Sequence, residues 1–234
     1  MTATWNPLTW RLSLSNFDYV FARTAVPRYM LNSLVVVLLM LTGQLLLAFP
    51  AAFALARYSF AGKRLLMSVI IAAIAFPGFV AAVPNYLLLA RLNLLDSVAG
   101  LVLPFWATAF GAFLFRQALA GIPQDYFDAA VIDGCSITRI MTSVAAPLVT
   151  PHLVTFVVFS IATHWNELFW PLVVIRSSRK FTATAGVMFF ANSELGTEWG
   201  PLSAAALIVV VPMIALFIGV ADRLNEGLSA TALK

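Results

Sequence analysis

The sequence predicts an all-α integral membrane protein with five transmembrane helices, and three observations support that prediction. Apolar residues make up 62% of the 234 residues and charged residues only 10%. The mean hydropathy is +0.93, whereas soluble domains are about half apolar and about a quarter charged. Segments without Asp, Glu, Lys or Arg are long enough to span a bilayer, which takes about 20 apolar residues of helix. This composition excludes a soluble domain and a disordered chain.

The charge and cysteine content exclude two further classes. The net charge is +4, but the 14 basic residues are scattered singly between apolar runs. A nucleic-acid-binding protein would cluster them on one face, so we expect no nucleic acid partner. The single cysteine, Cys135, excludes an internal disulfide, and we expect no metal site.

The charge-free segments define the predicted spans, each of which must be helical because lipid cannot satisfy backbone polar groups. The segment 140–166 is longer than one span and contains Pro147 and Pro151, so we expect the crossing to begin near Pro151. The predicted spans are residues 29–56, 65–90, 97–115, 151–175 and 199–221. Prolines and glycines inside them are expected to kink or break the helices locally.

The loop 57–64 sets the predicted orientation, because it carries three basic residues and no acid, which places it in the cytoplasm. Alternation then gives an external N-terminal segment, 1–28, a transmembrane domain, 29–221, with a cytoplasmic loop, 117–150, and a cytoplasmic tail, 222–234. Export of residues 1–28 would need an apolar signal upstream, so we expect a first helix to be missing from this start site.

The cytoplasmic loop predicts two short amphipathic helices. Asp125 and Asp128 lie where the first turn of a helix favours negative charge, and Gly134 suits a left-handed C-terminal residue. Ser136 can cap the second helix, which we expect to end at Pro147. Two such helices between spans form a surface for docking a partner protein.

The spacing of this loop resembles the EAA loop of bacterial ABC importer permeases. Three further matches are similar to the carbohydrate-uptake branch of that family, the maltose and glycerol-phosphate type, and the resemblance extends from about residue 32 to residue 234. The matching elements are Asp128-Ala129-Ala130, Asp133-Gly134, Val144, Ala146-Pro147, Trp165-Asn166-Glu167, Trp170-Pro171 and Gly227-Leu228-Ser229. Asp128 stands where the family usually has Glu, and Glu226 where it usually has a basic residue.

The resemblance implies a permease subunit in the bacterial inner membrane, with six spans in the family and the first one lacking here. It implies a second permease, two ATP-binding subunits and an extracellular solute-binding protein as partners. The ATP-binding subunits would contact the loop and the tail. The loop residues implied are Asp128, Ala129, Ala130, Asp133, Gly134, Val144 and Pro147, and the tail residues are Gly227, Leu228 and Ser229.

The chain has no GxxxxGK[ST] phosphate loop, so we expect ATP and Mg²⁺ on the partner and no cofactor on this subunit. The cargo implied is a sugar or oligosaccharide. A polyol phosphate such as glycerol 3-phosphate is the alternative, although no basic residue lies inside a predicted span.

Polar residues in or at the ends of spans are the candidates for the substrate path, because burying them in lipid is costly. They are Gln44, Asn85, Tyr86, His164, Trp165, Asn166 and Glu167. For Gln44 an interhelical hydrogen bond is an equal alternative. Tyr86 also suits an aromatic at the membrane interface, and residues 165–167 could be structural.

Two other classes are weaker. His164 and Glu167 form an HxxE pair, but HExxH and GxSxG are absent from the sequence, which argues against an intramembrane enzyme. A secondary transporter would use ionisable residues near the bilayer midplane. All ten acids lie outside or at the ends of the charge-free segments.

Overall fold

The structure, a computed structural model, describes residues 13–191 and 199–232, with side chains for 13–188 and 199–220. Within these ranges all regular structure is helical, which confirms the predicted fold class. The α-helices are α1 (Ser15–Arg23), α2 (Val26–Arg57), α3 (Lys63–Ala75), α4 (Ala82–Arg91), α5 (Val98–Val102), α6 (Ala109–Ala120), α7 (Asp125–Ile132), α8 (Ile137–Arg139), α9 (Ala146–Leu148), α10 (Thr150–Trp165), α11 (Phe169–Val174), α12 (Ala183–Ala191) and α13 (Trp199–Ala232). Shorter elements are 3₁₀ turns at Gly78–Ala81, Leu103–Phe105 and Ser178–Lys180 and a π-helix at Ile140–Ala145.

Two continuous helices in the described part are long and apolar enough to cross a membrane. They are α2, with 32 residues, and the segment Trp199–Val220 of α13, with 22 residues. If each of three bent helix pairs is counted as one span, the number of candidate spans reaches five. The pairs are Lys63–Ala75 with Gly78–Arg91, bent by 100°, Val98–Phe105 with Ala109–Ala120, bent by 44°, and Ile137–Leu148 with Thr150–Trp165, bent by 85°.

The second and third predicted spans are therefore broken rather than continuous. In the span 65–90 the helix ends at Ala75, and Phe76 is extended because a residue before proline disfavours the helical conformation. In the span 97–115 the helix restarts at Thr108, whose hydroxyl accepts a hydrogen bond from the N–H of Gly111 at 3.2 Å.

The predicted span 151–175 is also divided into two helices. Helix α10 ends at Trp165, and α11 begins at Phe169. Between them, the carboxylate of Glu167 accepts a hydrogen bond from the backbone N–H of Trp170 at 3.1 Å. A side chain that satisfies a free N–H in this way begins a new helix and competes with continuation of the old one.

Helix α2 lies at the centre of the bundle and packs against α6, α10 and α12. Ala48 and Ala52 on α2 are buried with Phe115 of α6 in one hydrophobic cluster. A Cβ atom at Gly43 would collide with the indole of Trp106, whose N–H donates to the carbonyl of Leu39 at 3.1 Å. Small residues thus let the segment before α6 approach α2 closely.

The outer faces of the bundle are apolar. Large apolar side chains are between 63% and 71% exposed on α2, α3 and α13, including Leu31, Leu46, Leu65, Phe217 and Ile218. A soluble monomer does not expose apolar surface on this scale. These faces suit lipid tails or the helices of a partner subunit.

Asp96 links the loop before α5 to the loop after α11 through hydrogen bonds and an ion pair. Its carboxylate accepts the hydroxyl of Ser177 at 2.5 Å and the backbone N–H groups of Ser177 and Arg176 at 3.0 and 3.1 Å. It also pairs with the Lys180 ammonium at 3.0 Å. These bonds, those from Ser177 foremost, hold the pKa of Asp96 well below its usual range.

Replacing Asp96 should weaken the link between these two loops. We expect Asp96→Asn to lower the melting temperature at pH 7, because the charged form is the one that is bonded. A pKa lowered by folding stabilises the protein above the ordinary value of about 4, and that stabilisation is lost as the pH falls below it. The difference in melting temperature between wild type and variant, measured in detergent, should therefore become smaller below about pH 4. Asp18→Asn, at an exposed carboxylate, is the control, and a difference that does not change with pH would contradict the assignment.

Candidate functional site: a docking loop and a cavity joined by one helix

The first helix of the loop, α7, ends in a Schellman motif around Gly134. The φ of Gly134 is 73°, in the left-handed region. Its N–H donates to the carbonyl of Val131, and the N–H of Cys135 donates to that of Ala130, both at 3.0 Å. This pattern satisfies the last carbonyls of the helix and turns the chain sharply.

The second helix of the loop runs through α8, the π-helix and α9, a total span of Ile137–Leu148. Ser136 begins it by accepting a hydrogen bond from the N–H of Arg139 at 3.3 Å. Pro147 does not end this helix as expected, because the helix continues to Leu148. A proline lacks an N–H and its ring crowds the preceding turn, and the wider π-helix directly before it relieves that crowding.

Most of the loop residues implied by the resemblance face solvent. Asp128, Ala129, Asp133, Gly134 and Pro147 are exposed, Val144 is half-buried and Ala130 is buried. The carboxylate of Asp128 accepts a hydrogen bond from the amide of Gln124 within its own helix, at 3.0 Å. Apolar side chains beside them are also exposed, with Ile132 at 86% and Tyr126 at 53%. The loop therefore presents a mixed apolar and acidic surface.

Arg57, at the end of α2, connects that helix to the loop. Its guanidinium carbon lies 3.8 Å from the centre of the Phe127 ring of α7. The guanidinium donates to Gln124 Oε1 at 3.2 Å, to the Ile122 carbonyl at 2.9 Å and to the Leu119 carbonyl. Only an arginine offers this planar, multiple donation together with ring stacking. Sequence reasoning assigned Arg57 to topology alone and missed this contact.

A cavity of about 640 Å³ lies beside α2 and α10. Three helix breaks border it: the break after α3, the break before α6 and the break between α10 and α11. Its walls include residues from each break: Phe76 and Phe79 from the first, Phe105 from the second, and Phe169 and Trp170 from the third. Non-helical backbone at membrane depth is tolerated where it lines a cavity. The volume lies in the range of small-molecule sites, about 300–1,000 Å³.

Gln44 anchors the wall of this cavity and is 4% exposed. Its amide nitrogen donates to the carbonyl of Phe105 at 3.0 Å and lies 2.9 Å from Nε2 of His164. Its amide oxygen accepts the hydroxyl of Ser160 at 2.6 Å. Gln44 thus makes the interhelical hydrogen bonds that were the alternative to a cargo contact.

The structure brings four of the seven predicted path residues to the cavity: Gln44, Asn85, His164 and Glu167. The other three have partners elsewhere and are not among its lining residues. Tyr86 accepts a hydrogen bond from Arg176 at 3.1 Å. The buried indole of Trp165 donates to Val209, and the amide of Asn166 to Ala162.

Ser160, Thr108 and Thr163 also line the cavity, and sequence reasoning did not select them. Ser160 lies four residues before His164, so helical spacing along α10 could have found it. No spacing could have found Thr108, because it reaches the cavity through the break before α6. Residues Gly227, Leu228 and Ser229 lie beyond the part of the chain whose side chains the structure describes.

Comparisons with known proteins identify the class to which this membrane protein belongs. The family of binding-protein-dependent transport system inner membrane components matches residues 44–229. Since this match covers more than half of the chain, the chain belongs to that family, the permeases of ABC importers.

Individual relatives agree with this assignment. The diacetylchitobiose uptake system permease NgcG of Streptomyces coelicolor is 31% identical and is matched over 90% of this chain and 70% of its own length. The sn-glycerol-3-phosphate permease UgpE of Salmonella typhimurium is 32% identical, over 85% of this chain and 71% of its own length. The arabinooligosaccharide permease AraQ of Bacillus subtilis is 28% identical, over 95% and 79%.

A solved structure shares the fold. It is a bacterial ABC transporter involved in the import of the acidic polysaccharide alginate. The TM-score is 0.77 over 90% of this chain and 79% of that chain, at 22% sequence identity. The overall arrangement of the helices is therefore one that a solved permease structure also has.

Gly134 is expected to be required for coupling because of its backbone conformation. Nothing lies within 4 Å of a Cβ built there, so a substitution would strain the chain without a collision. Gly134→Val should destabilise the turn by about 1–2 kcal/mol and uncouple ATP hydrolysis from uptake. Gly134→Asn should be milder, because asparagine tolerates the left-handed region.

Gly62→Val is the matched control for Gly134. Gly62 also has a left-handed φ, 85°, and open space around its Cβ position, but lies outside the loop. Uptake that falls equally in Gly62→Val and Gly134→Val would show that strain alone, rather than the docking loop, is responsible.

Arg57 is expected to hold α7 on α2. Arg57→Lys should keep a charge but lose the forked donation, so coupled ATPase activity should fall nearly as far as in Arg57→Ala. Arg64→Ala removes an exposed cation at the start of α3 and is the control. Full coupling in Arg57→Lys would contradict a role that depends on the guanidinium.

Proposed function

We propose that this chain is one of two permease subunits of a multi-pass ABC importer in a bacterial inner membrane, and that it carries a neutral carbohydrate. A second, different permease completes the path, and an extracellular binding protein delivers the cargo. The relatives named for diacetylchitobiose and arabinooligosaccharides support a carbohydrate. The tail residues Gly227, Leu228 and Ser229 are proposed to contact the ATP-binding subunit.

The observation that carries this proposal is the lining of the cavity. Its described walls consist of aromatic rings, small apolar groups and neutral polar groups, without a Lys or Arg. Glu167 is the charged member, and it would repel an anionic cargo. Aromatic faces with a few placed polar groups suit a neutral sugar.

A polyol phosphate is the second candidate, and the identity to the sn-glycerol-3-phosphate permease favours it. A phosphate is bound in proteins chiefly by arginine, lysine and backbone N–H groups. Because the described cavity offers no Lys or Arg side chain, this cargo would need such a residue from the second permease.

The energy is proposed to come from separate ATP-binding subunits that bind ATP and Mg²⁺ and dock on the loop from the cytoplasm. The exposed surface around Asp128, Ala129 and Gly134 is the proposed docking face. This chain would then be a transport subunit, not an enzyme, with no cofactor of its own. Closure of the ATPase dimer would move α7, and alternating access would follow.

Helix α2 gives that movement a route to the cavity. Arg57 contacts α7 and Gln44 lines the cavity. Gln44 and Arg57 are 13 positions apart, which corresponds to about 20 Å of helix, at 1.5 Å per residue. Helix α2 is continuous over this length, so displacement of the loop would reposition Gln44 and the groups bonded to it.

The test is to express the chain with the products of its neighbouring genes and purify it by a tag on this subunit. We expect an ATPase to copurify and to be stimulated by a sugar-loaded binding protein. Reconstituted vesicles should take up arabinotriose or N,N′-diacetylchitobiose in preference to sn-glycerol 3-phosphate. Preferential uptake of the phosphate would overturn the neutral cargo, and a chain that transports without an ATPase would overturn the importer.

A further inference from the structure

The hydrogen bonds of Gln44 determine which nitrogen of His164 carries the proton. The carbonyl of Phe105 can only accept, so the amide nitrogen, and not the amide oxygen, must face it at 3.0 Å. The same amide nitrogen has one more hydrogen, which points to Nε2 of His164 at 2.9 Å. Nε2 must therefore accept, and a neutral imidazole that accepts at Nε2 carries its proton on Nδ1.

The opposite orientation of the Gln44 amide is excluded by the same neighbours. A flipped amide would place its oxygen against the Phe105 carbonyl, and two acceptors would then face each other. In the observed orientation the oxygen accepts the hydroxyl of Ser160. Gln44 and Ser160 are 4% and 3% exposed, so water cannot easily replace either partner.

The Nδ1–H group of His164 has no hydrogen-bond partner among the side chains and backbone that the structure describes. His164 is only half-buried and lines the cavity, beside the ring of Phe105 at 5.9 Å between centroids. The amide of Asn85 lines the same cavity and likewise has no hydrogen bond to a described residue. Both groups differ from Gln44, whose donors and acceptor are already used.

We infer that His164 is a cargo-contacting residue that donates a hydrogen bond from Nδ1 to a neutral oxygen of the sugar, a hydroxyl or a ring oxygen. Gln44 is a positioning residue that fixes the tautomer, and it does not touch the cargo. This inference rests on the proposed carbohydrate cargo and adds to it the donor that recognises it. A polar site loses affinity when a cargo lacks the group that the donor of the site would bond.

The tautomer can be measured without knowing the cargo. The chain has two histidines, His152 and His164, so the assembled transporter with ¹⁵N-labelled histidine in this subunit gives two pairs of imidazole nitrogen signals, one pair for each ring. His152→Asn assigns them. We expect the His164 spectrum to show a protonated Nδ1 and an unprotonated Nε2, and Gln44→Leu to give a mixture of the two tautomers. A proton on Nε2 in the wild type would overturn the inference.

Two substitutions separate a cargo contact from a purely structural role. In His164→Gln the amide oxygen takes the place of Nε2 and can still accept from Gln44, but the donor at Nδ1 is lost. In His164→Asn the amide nitrogen takes the place of Nδ1, while the contact to Gln44 is lost. Thr155→Val, which removes a hydroxyl bonded to the Pro151 carbonyl of its own helix at 2.9 Å, is the matched control on α10.

We expect His164→Gln to keep the wild-type melting temperature and to raise the KM for N,N′-diacetylchitobiose or arabinotriose uptake by about three- to tenfold, with little change in kcat. His164→Asn should melt earlier but keep a KM closer to that of the wild type. If His164→Gln has a wild-type KM, while His164→Asn has both a lower melting temperature and a higher KM, the role of His164 is structural and the inference is overturned.

Failure of this inference is distinguishable from failure of the proposed function. A transporter whose ATPase is stimulated by a loaded binding protein, but which takes up neither sugar, would overturn the cargo class and with it the contact. A transporter that takes up a sugar with the His164 proton on Nε2 would overturn this inference alone.

Discussion

The constraint on which the rest of the structure depends is that a buried polar group within a bilayer has to find its partners inside the protein. Gln44 is such a buried polar residue, since it lies on the central helix and is 4% exposed. Its three bonds, to Phe105, Ser160 and His164, tie α2 to α10 and to the 3₁₀ turn after α5. Hydrogen bonds are directional, whereas the hydrophobic effect is not, so these bonds add to the register that apolar packing gives the three elements. The hydrogen bonds therefore define one wall of the cavity.

The three helix breaks form the rest of that cavity. Each break leaves backbone groups without their helical partners, which is unfavourable in contact with lipid. The residues around all three breaks line the same cavity. The backbone groups that lack helical partners therefore lie where water or a polar cargo can reach them. Phe76 before Pro77, Thr108 before α6 and Glu167 before α11 are the local causes. Breaks that would be defects in a simple bundle thus line a cavity.

Helix α2 couples this cavity to the loop. The same continuous helix carries Gln44 in its middle and Arg57 at its end, where the guanidinium stacks on Phe127 and donates to the chain entering α7. Stacking and forked hydrogen bonding resist both sliding and rotation of α7 relative to α2. At the opposite part of the bundle, Asp96 holds the loops that follow α4 and α11 together.

The sequence by itself determined the membrane class, the helical fold and the turn at Gly134, because composition, apolar length and backbone conformation are local properties that leave a direct pattern. It also selected Gln44, Asn85, His164 and Glu167, since polar residues are costly in an apolar segment wherever they lie. Only the tertiary structure decided that Tyr86, Trp165 and Asn166 face other partners, that Arg57 reaches α7, and that His164 must accept at Nε2. These contacts join groups that are far apart in the chain, and Gln44 and His164 are separated by 120 residues. Their proximity is set by tertiary packing rather than by sequence spacing.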